Sequence, residues 1–130
     1  LRIALEESEF FTELCQLALS IDRNVRFAGV VYNNGRLLTG KYRNDIKSPL
    51  FNSTARSDVT NNLFYASYRS VALTRTFETS LGSLKYQLSE FDDVKLLTVP
   101  LTIRGDRFLC VLLDPMPSCQ MTVTKLMDNI

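Results

Sequence analysis

The chain has 130 residues, 45% of them hydrophobic, with five glycines and four prolines, a composition that suits one globular domain and excludes a disordered or low-complexity chain. Fifteen basic residues against fourteen acidic ones leave a net charge of +1, which excludes a global pull on nucleic acid but leaves room for a local patch. The longest apolar run, Phe108 to Leu113, is far too short to cross a bilayer, and no secretory signal is visible. Three cysteines, Cys15, Cys110 and Cys119, sit in apolar or structured surroundings and are odd in number, which points to buried thiols and a cytoplasmic location. Because the chain opens at Leu1 rather than methionine, its N-terminus is expected to be trimmed or incomplete.

In chain order, the spacing predicts a first helix from Glu6 to Ile21. Phe10, Leu14, Leu17, Ala18 and Ile21 form its stripe, widened by Phe11 and Cys15. Glu6, Glu7 and Glu9 fall in or beside its first turn, where carboxylates favour the unpaired N–H groups. A hairpin follows. Residues 27–32 are apolar on both faces, as in the middle of a covered sheet, and Asn34-Gly35 suits a type I′ turn. Arg36 to Arg43 returns as a more polar strand nearer an edge.

Asn44 to Ser57, with Pro49, reads as a loop with at most a short helical turn. A long helix is predicted from about Val59 to Ser80, capped by Ser57 or Asp58 and stopped by Gly82. Three strands follow: Leu84 to Phe91, Val94 to Thr102 and Arg107 to Asp114, the last nearly all apolar. Ser118 is positioned to cap a terminal helix carrying Met121, Leu126 and Ile130. The two most apolar strands are the first and last, so they are expected to be central neighbours. The predicted fold is a single α/β (α+β) domain over residues 1–130, with a five-stranded, mostly antiparallel sheet in the order 2-1-5-4-3 and helices on its faces.

This element order resembles the Roadblock/LC7 and longin-like proteins of the profilin-like superfamily, a three-layer α/β/α sandwich. The stretch from Arg26 to Leu38, RFAGVVYNNGRLL, looks like that family's first hairpin, with a small residue and glycine ahead of an apolar strand. The same hairpin and the late Val99-Pro100-Leu101 strand are also similar to small uncharacterised archaeal proteins. The resemblance implies a non-enzymatic protein that dimerises through the long helix and adjacent edge strand. It also implies a scaffold or regulator of small Ras-like GTPases. The 44–57 loop is longer, and the long helix richer in Tyr, Thr and Arg, than this pattern leads one to expect.

The residues themselves offer little chemistry. There is no histidine, no CxxC pair and no glycine-rich phosphate loop, so no catalytic residue, metal ligand or cofactor site is assigned. Cys119 stands out because the first turn of a helix lowers a thiol pKa, although a half-exposed, unreactive cysteine is the simpler reading. Asp92-Asp93, with Glu90 nearby, reads as a solvated turn in preference to a cation site, and Arg104-Gly105-Asp106 as another turn.

Charge is more informative. Seven basic residues between Arg23 and Arg56 face only Asp45, and Arg36, Lys41, Arg43 and Lys47 are the candidate anion or partner patch. A solvated basic face without a ligand is the bland alternative. On the long helix, Phe64, Tyr65, Tyr68, Val71 and Ala72 carry more apolar surface than one sheet face covers. With Tyr86 and Leu88 of the edge strand they form the candidate dimer interface. Three readings stay open: a homodimeric scaffold or regulatory adaptor for a small GTPase or other protein; an anion- or nucleic-acid-binding module working through the basic hairpin; and an enzyme using Arg, Tyr and carboxylate groups.

Overall fold

The computed structural model describes residues 2–34, 36–45, 72, 77, 79–102, 106–115 and 118–130. Its elements are α1 (Arg2–Ile21), β1 (Val25–Tyr32), β2 (Leu37–Tyr42), β3 (Gln87–Glu90), β4 (Lys95–Pro100), β5 (Arg107–Leu113) and α2 (Gln120–Asn129). Of the predicted long helix, Ala72, Phe77 and residues 79–81 are described and helical, and Gly82 follows with φ +83°, a left-handed stop that glycine adopts without strain. The rest of that helix, and residues 46–57 of the preceding loop, lie outside the described residues.

The sheet has the predicted order, β2-β1-β5-β4-β3, and all four pairings are antiparallel. Its centre is where the doubly apolar strands place it. Phe27, Gly29 and Val31 of β1 lie opposite Leu112, Cys110 and Phe108 of β5 on one face. Ala28 and Val30 lie opposite Val111 and Leu109 on the other. All of these residues are buried, so both faces of the central pair are shielded from water. Burying each large side chain contributes about 1.5–3 kcal/mol.

α1 and α2 share the second of those faces. Phe11, Leu14, Cys15 and Ala18 of α1 join Val123 and Leu126 of α2 in one cluster with Val30, Leu97, Leu109 and Val111. Asp22, just past α1, ties the two helices together. Its carboxylate accepts hydrogen bonds from the Asn24 backbone (2.9 Å) and the Thr122 hydroxyl (3.0 Å), with the Lys125 ammonium 3.4 Å away. The Asn24 bond is the main reason that this carboxyl titrates below its ordinary range.

Several local expectations are corrected. α1 begins at Arg2, four residues early, so Glu6, Glu7 and Glu9 lie beyond the first turn. Its buried stripe is Phe11, Leu14, Cys15 and Ala18, while Phe10 is 59% and Leu17 41% exposed. Both stripes have helical spacing and share Leu14 and Ala18, and packing against the sheet chose between them. The hairpin turn is not type I′, because Asn34 has no positive φ. Three residues intervene between the Tyr32 N–H and the Arg36 carbonyl it meets at 2.9 Å, and Asn34 Oδ1 accepts the Arg36 N–H at 3.0 Å.

The third strand starts at Gln87 rather than Leu84. The Leu101 N–H bonds to the Arg107 carbonyl of β5, so the preceding residue turns its backbone towards β3. That residue is Pro100, which has no N–H to offer, and the β3 ladder ends beside it. At α2, Ser118 is not the cap. Cys119 holds that position without a side-chain cap bond, and its burial in the core fixes where the helix begins. The face that α2 buries carries Thr122, Val123 and Leu126, leaving Met121 and Ile130 exposed.

Candidate functional site

The basic hairpin divides into spent and available charge. Arg43, at the end of β2, donates from Nη1 to Asp114 Oδ2 at 2.8 Å and to the Arg23 carbonyl, and from Nε to Asp45. Asp114 also lies 3.6 Å from Arg26 Nη1. The Asp45 and Asp114 bonds raise the Arg43 pKa, and Arg43 in turn holds the Asp45 carboxyl below its usual range. This cluster clamps the ends of β1, β2 and β5, and it neutralises Arg43, one of the four predicted patch residues.

Arg36 and Lys41 are different. Both are exposed, and neither has a carboxylate in salt-bridge range among the described residues. Arg36 leans over the Tyr32 ring, 5.6 Å from its centroid. Lys41 lines an open groove of about 240 Å³ between α1 and β2, with Gln16, Leu19, Ser20, Tyr42, Arg43 and Asn44. Lys47, the fourth residue of the predicted patch, lies outside the described residues.

The opposite edge of the sheet is apolar. Among the described residues β3 pairs only with β4, as its last place in the sheet requires. Leu88 lies opposite Leu97 and is 39% exposed; Tyr86, just before the strand, and Phe91, just after it, are exposed as well. Phe77 and Leu81 add exposed apolar surface in the preceding helical residues. Of the predicted interface, Ala72 is described as half-buried, whereas Phe64, Tyr65, Tyr68 and Val71 lie outside the described residues.

A contact invisible in the sequence links α1 to the end of the sheet. Arg107 stacks 4.0 Å from the centroid of Tyr32, its cross-strand partner, and donates from Nε to Glu7 Oε1 at 2.9 Å. One hundred residues separate Glu7 from Arg107, and no local pattern marks the pair. Among the described residues no group of three or more acidic, Cys or His side chains is placed to hold a metal ion. Asp92 and Asp93 are exposed in the β3–β4 turn, closed by the Phe91 N–H on the Val94 carbonyl. Cys119, read as half-exposed, is buried like Cys15 and Cys110. No helix among the described residues is long and apolar enough to cross a membrane.

No family model and no curated protein matches the chain. Solved structures do match over nearly its whole length. The gliding protein MglB from Thermus thermophilus superposes with a TM-score of 0.66 at 11% identity, covering 92% of this chain and 84% of that one. MglB from Myxococcus xanthus gives 0.61 at 15% identity, covering 95% and 86%. A Roadblock/LC7 domain from Streptomyces avermitilis gives 0.58 at 11% identity, covering 89% and 90%. At such identities the likeness establishes the fold, which is that of MglB and the Roadblock/LC7 domain, a profilin-like sandwich.

Proposed function

We propose that this chain is a non-enzymatic, dimeric scaffold or regulatory adaptor that works by presenting surfaces to a protein partner. A small Ras-like GTPase is the partner class that the Roadblock/LC7 resemblance implies. The observation that carries the proposal is the β3 edge. It ends the sheet with Leu88 39% exposed and with Tyr86, Phe91, Leu81 and Phe77 exposed beside it. An edge that has no further strand on it among the described residues, next to apolar side chains, invites association, and a two-fold axis beside β3 and perpendicular to it satisfies both at once. The fold shared with MglB supports the reading, and one such MglB structure is described as having a tetrameric arrangement.

Sedimentation at micromolar concentration tests it. The expected result is a dimer that Leu88→Lys and Tyr65→Glu convert to folded monomers, and a wild-type monomer under those conditions overturns the proposal. Affinity capture from native lysate, with mass spectrometry of what is retained, then identifies the partner.

A second reading, anion or nucleic-acid binding through the hairpin, is favoured by the exposed charges of Arg36 and Lys41, which have no carboxylate in salt-bridge range among the described residues. Steep loss of RNA retention with added salt supports it; retention on a polyanion that survives reversal of both charges removes it.

A further inference from the structure

We infer that the other edge of the sheet, β2 with the groove beside it, is a docking site for an extended acidic segment of a partner protein. The segment adds as a strand outside β2, with its carboxylates on Lys41 and Arg36. The inference rests on the partner-binding reading above but not on dimerisation through β3.

The backbone supplies the first part of the argument. The Arg43 N–H bonds to the Arg26 carbonyl at 2.8 Å, which makes Arg26 and Arg43 a hydrogen-bonded pair. In an antiparallel ladder such pairs alternate, so Lys41, opposite Ala28, turns its backbone groups inward to β1. Gly40, opposite Gly29, therefore turns its N–H and C=O outward, and Gly40 is exposed. With no side chain there to shield it, the outer edge of β2 is open to another strand at this residue.

Side chains supply the rest. Lys41 lies on the α1 side of β2, in the 240 Å³ groove walled by Gln16, Leu19 and Ser20, which suits one side chain of an added strand. Arg36 stands at the far end of β2, steered by the Tyr32 ring. Neither cation has a carboxylate partner among the described residues, whereas Arg43 and Arg26 are already engaged with Asp114. Charge also argues against a second copy as occupant. Two β2 edges paired with each other set two cation-bearing strands side by side, and like charges across a strand pair repel. An acidic strand does not meet this repulsion.

Fluorescence anisotropy on the full chain at low ionic strength tests this with a labelled heptapeptide alternating glutamate and valine. Saturable binding is expected, weakened about tenfold by Lys41→Glu. It is expected to be lost when glutamate is replaced by lysine or when the peptide backbone is N-methylated on alternate residues. The oligomeric state of Lys41→Glu, measured alongside, is expected to match wild type, so failure here and failure of the β3 dimer are read separately. The inference is overturned by absence of saturable binding, by unchanged affinity in Lys41→Glu, or by equal binding of the N-methylated peptide, since that last result leaves charge without strand addition. Tighter binding of single-stranded RNA than of the peptide, lost in Lys41→Glu, also overturns it in favour of a nucleic-acid site.

Discussion

Alanine at Gly29 drives a methyl group into the ring of Phe27. Gly29 and Gly40 lie opposite each other on β1 and β2, and the Phe27 ring lies across both. A Cβ at Gly29 meets Phe27 Cζ at 2.6 Å and Cε1 at 2.9 Å, with Leu37 Cδ1 at 3.1 Å behind them. The ring has no room to retreat, being 2% exposed and 4.6 Å from the centroid of Tyr42. Overpacking of this kind costs about 2 kcal/mol, and the better strand propensity of alanine returns a few tenths. Gly29→Ala is therefore expected to destabilise by about 1.5 kcal/mol, or about 5 °C in Tm for a chain of this length. Leucine at position 27 lacks the two colliding atoms, so Phe27→Leu, which alone costs about 1–1.5 kcal/mol for lost packing, relieves the clash in the double variant. Urea denaturation of the two singles and the double is expected to give a coupling of about 1 kcal/mol in the relieving direction, at constant m-value. Additivity within about 0.5 kcal/mol, or a neutral Gly29→Ala, refutes the packing argument.

Asp22→Ala removes the tie between α1 and α2 and is expected to cost about 1–2 kcal/mol at neutral pH by chemical denaturation. Folding lowers this carboxyl pKa below its ordinary value of 3.8, so its stabilisation is complete above that value and fades as pH falls through the folded pKa. The gap between wild type and variant therefore narrows in acid; a gap that stays constant from neutral pH to pH about 2 refutes the assignment. Burial pushes the Cys15 thiol up to about 11 and Cys110 up to about 12, the latter aided by the neighbouring Cys15. A thiol reagent at mildly alkaline pH is expected to label neither in the folded protein and both in urea, and rapid labelling of either in the native state contradicts their burial.

The sequence by itself determined the sheet. The centres of β1, from Phe27 to Val31, and of β5, from Phe108 to Leu113, carry no charge, so each needs cover on both faces, and only neighbouring places at the centre give that; the more polar β2 and the third strand are left for the edges. The glycine stop at position 82 was legible for a similar local reason, since its left-handed backbone is costly for other residues. Tertiary structure alone decided which of two overlapping stripes α1 buries, because helical spacing admits both and hydrophobicity favours the exposed Phe10 and Leu17 over the buried Cys15. It also decided which cations are spent. Arg43 looks like its neighbours in sequence until the chain returns 71 residues later with Asp114, and Glu7 meets Arg107 across 100 residues. Periodicity reports how a segment is covered, because burial repeats with the geometry of the element. Pairing between distant charges leaves no repeat along the chain, and the register with β1, not the edge place of β2, decides that Gly40 turns its backbone outward while Lys41 turns inward.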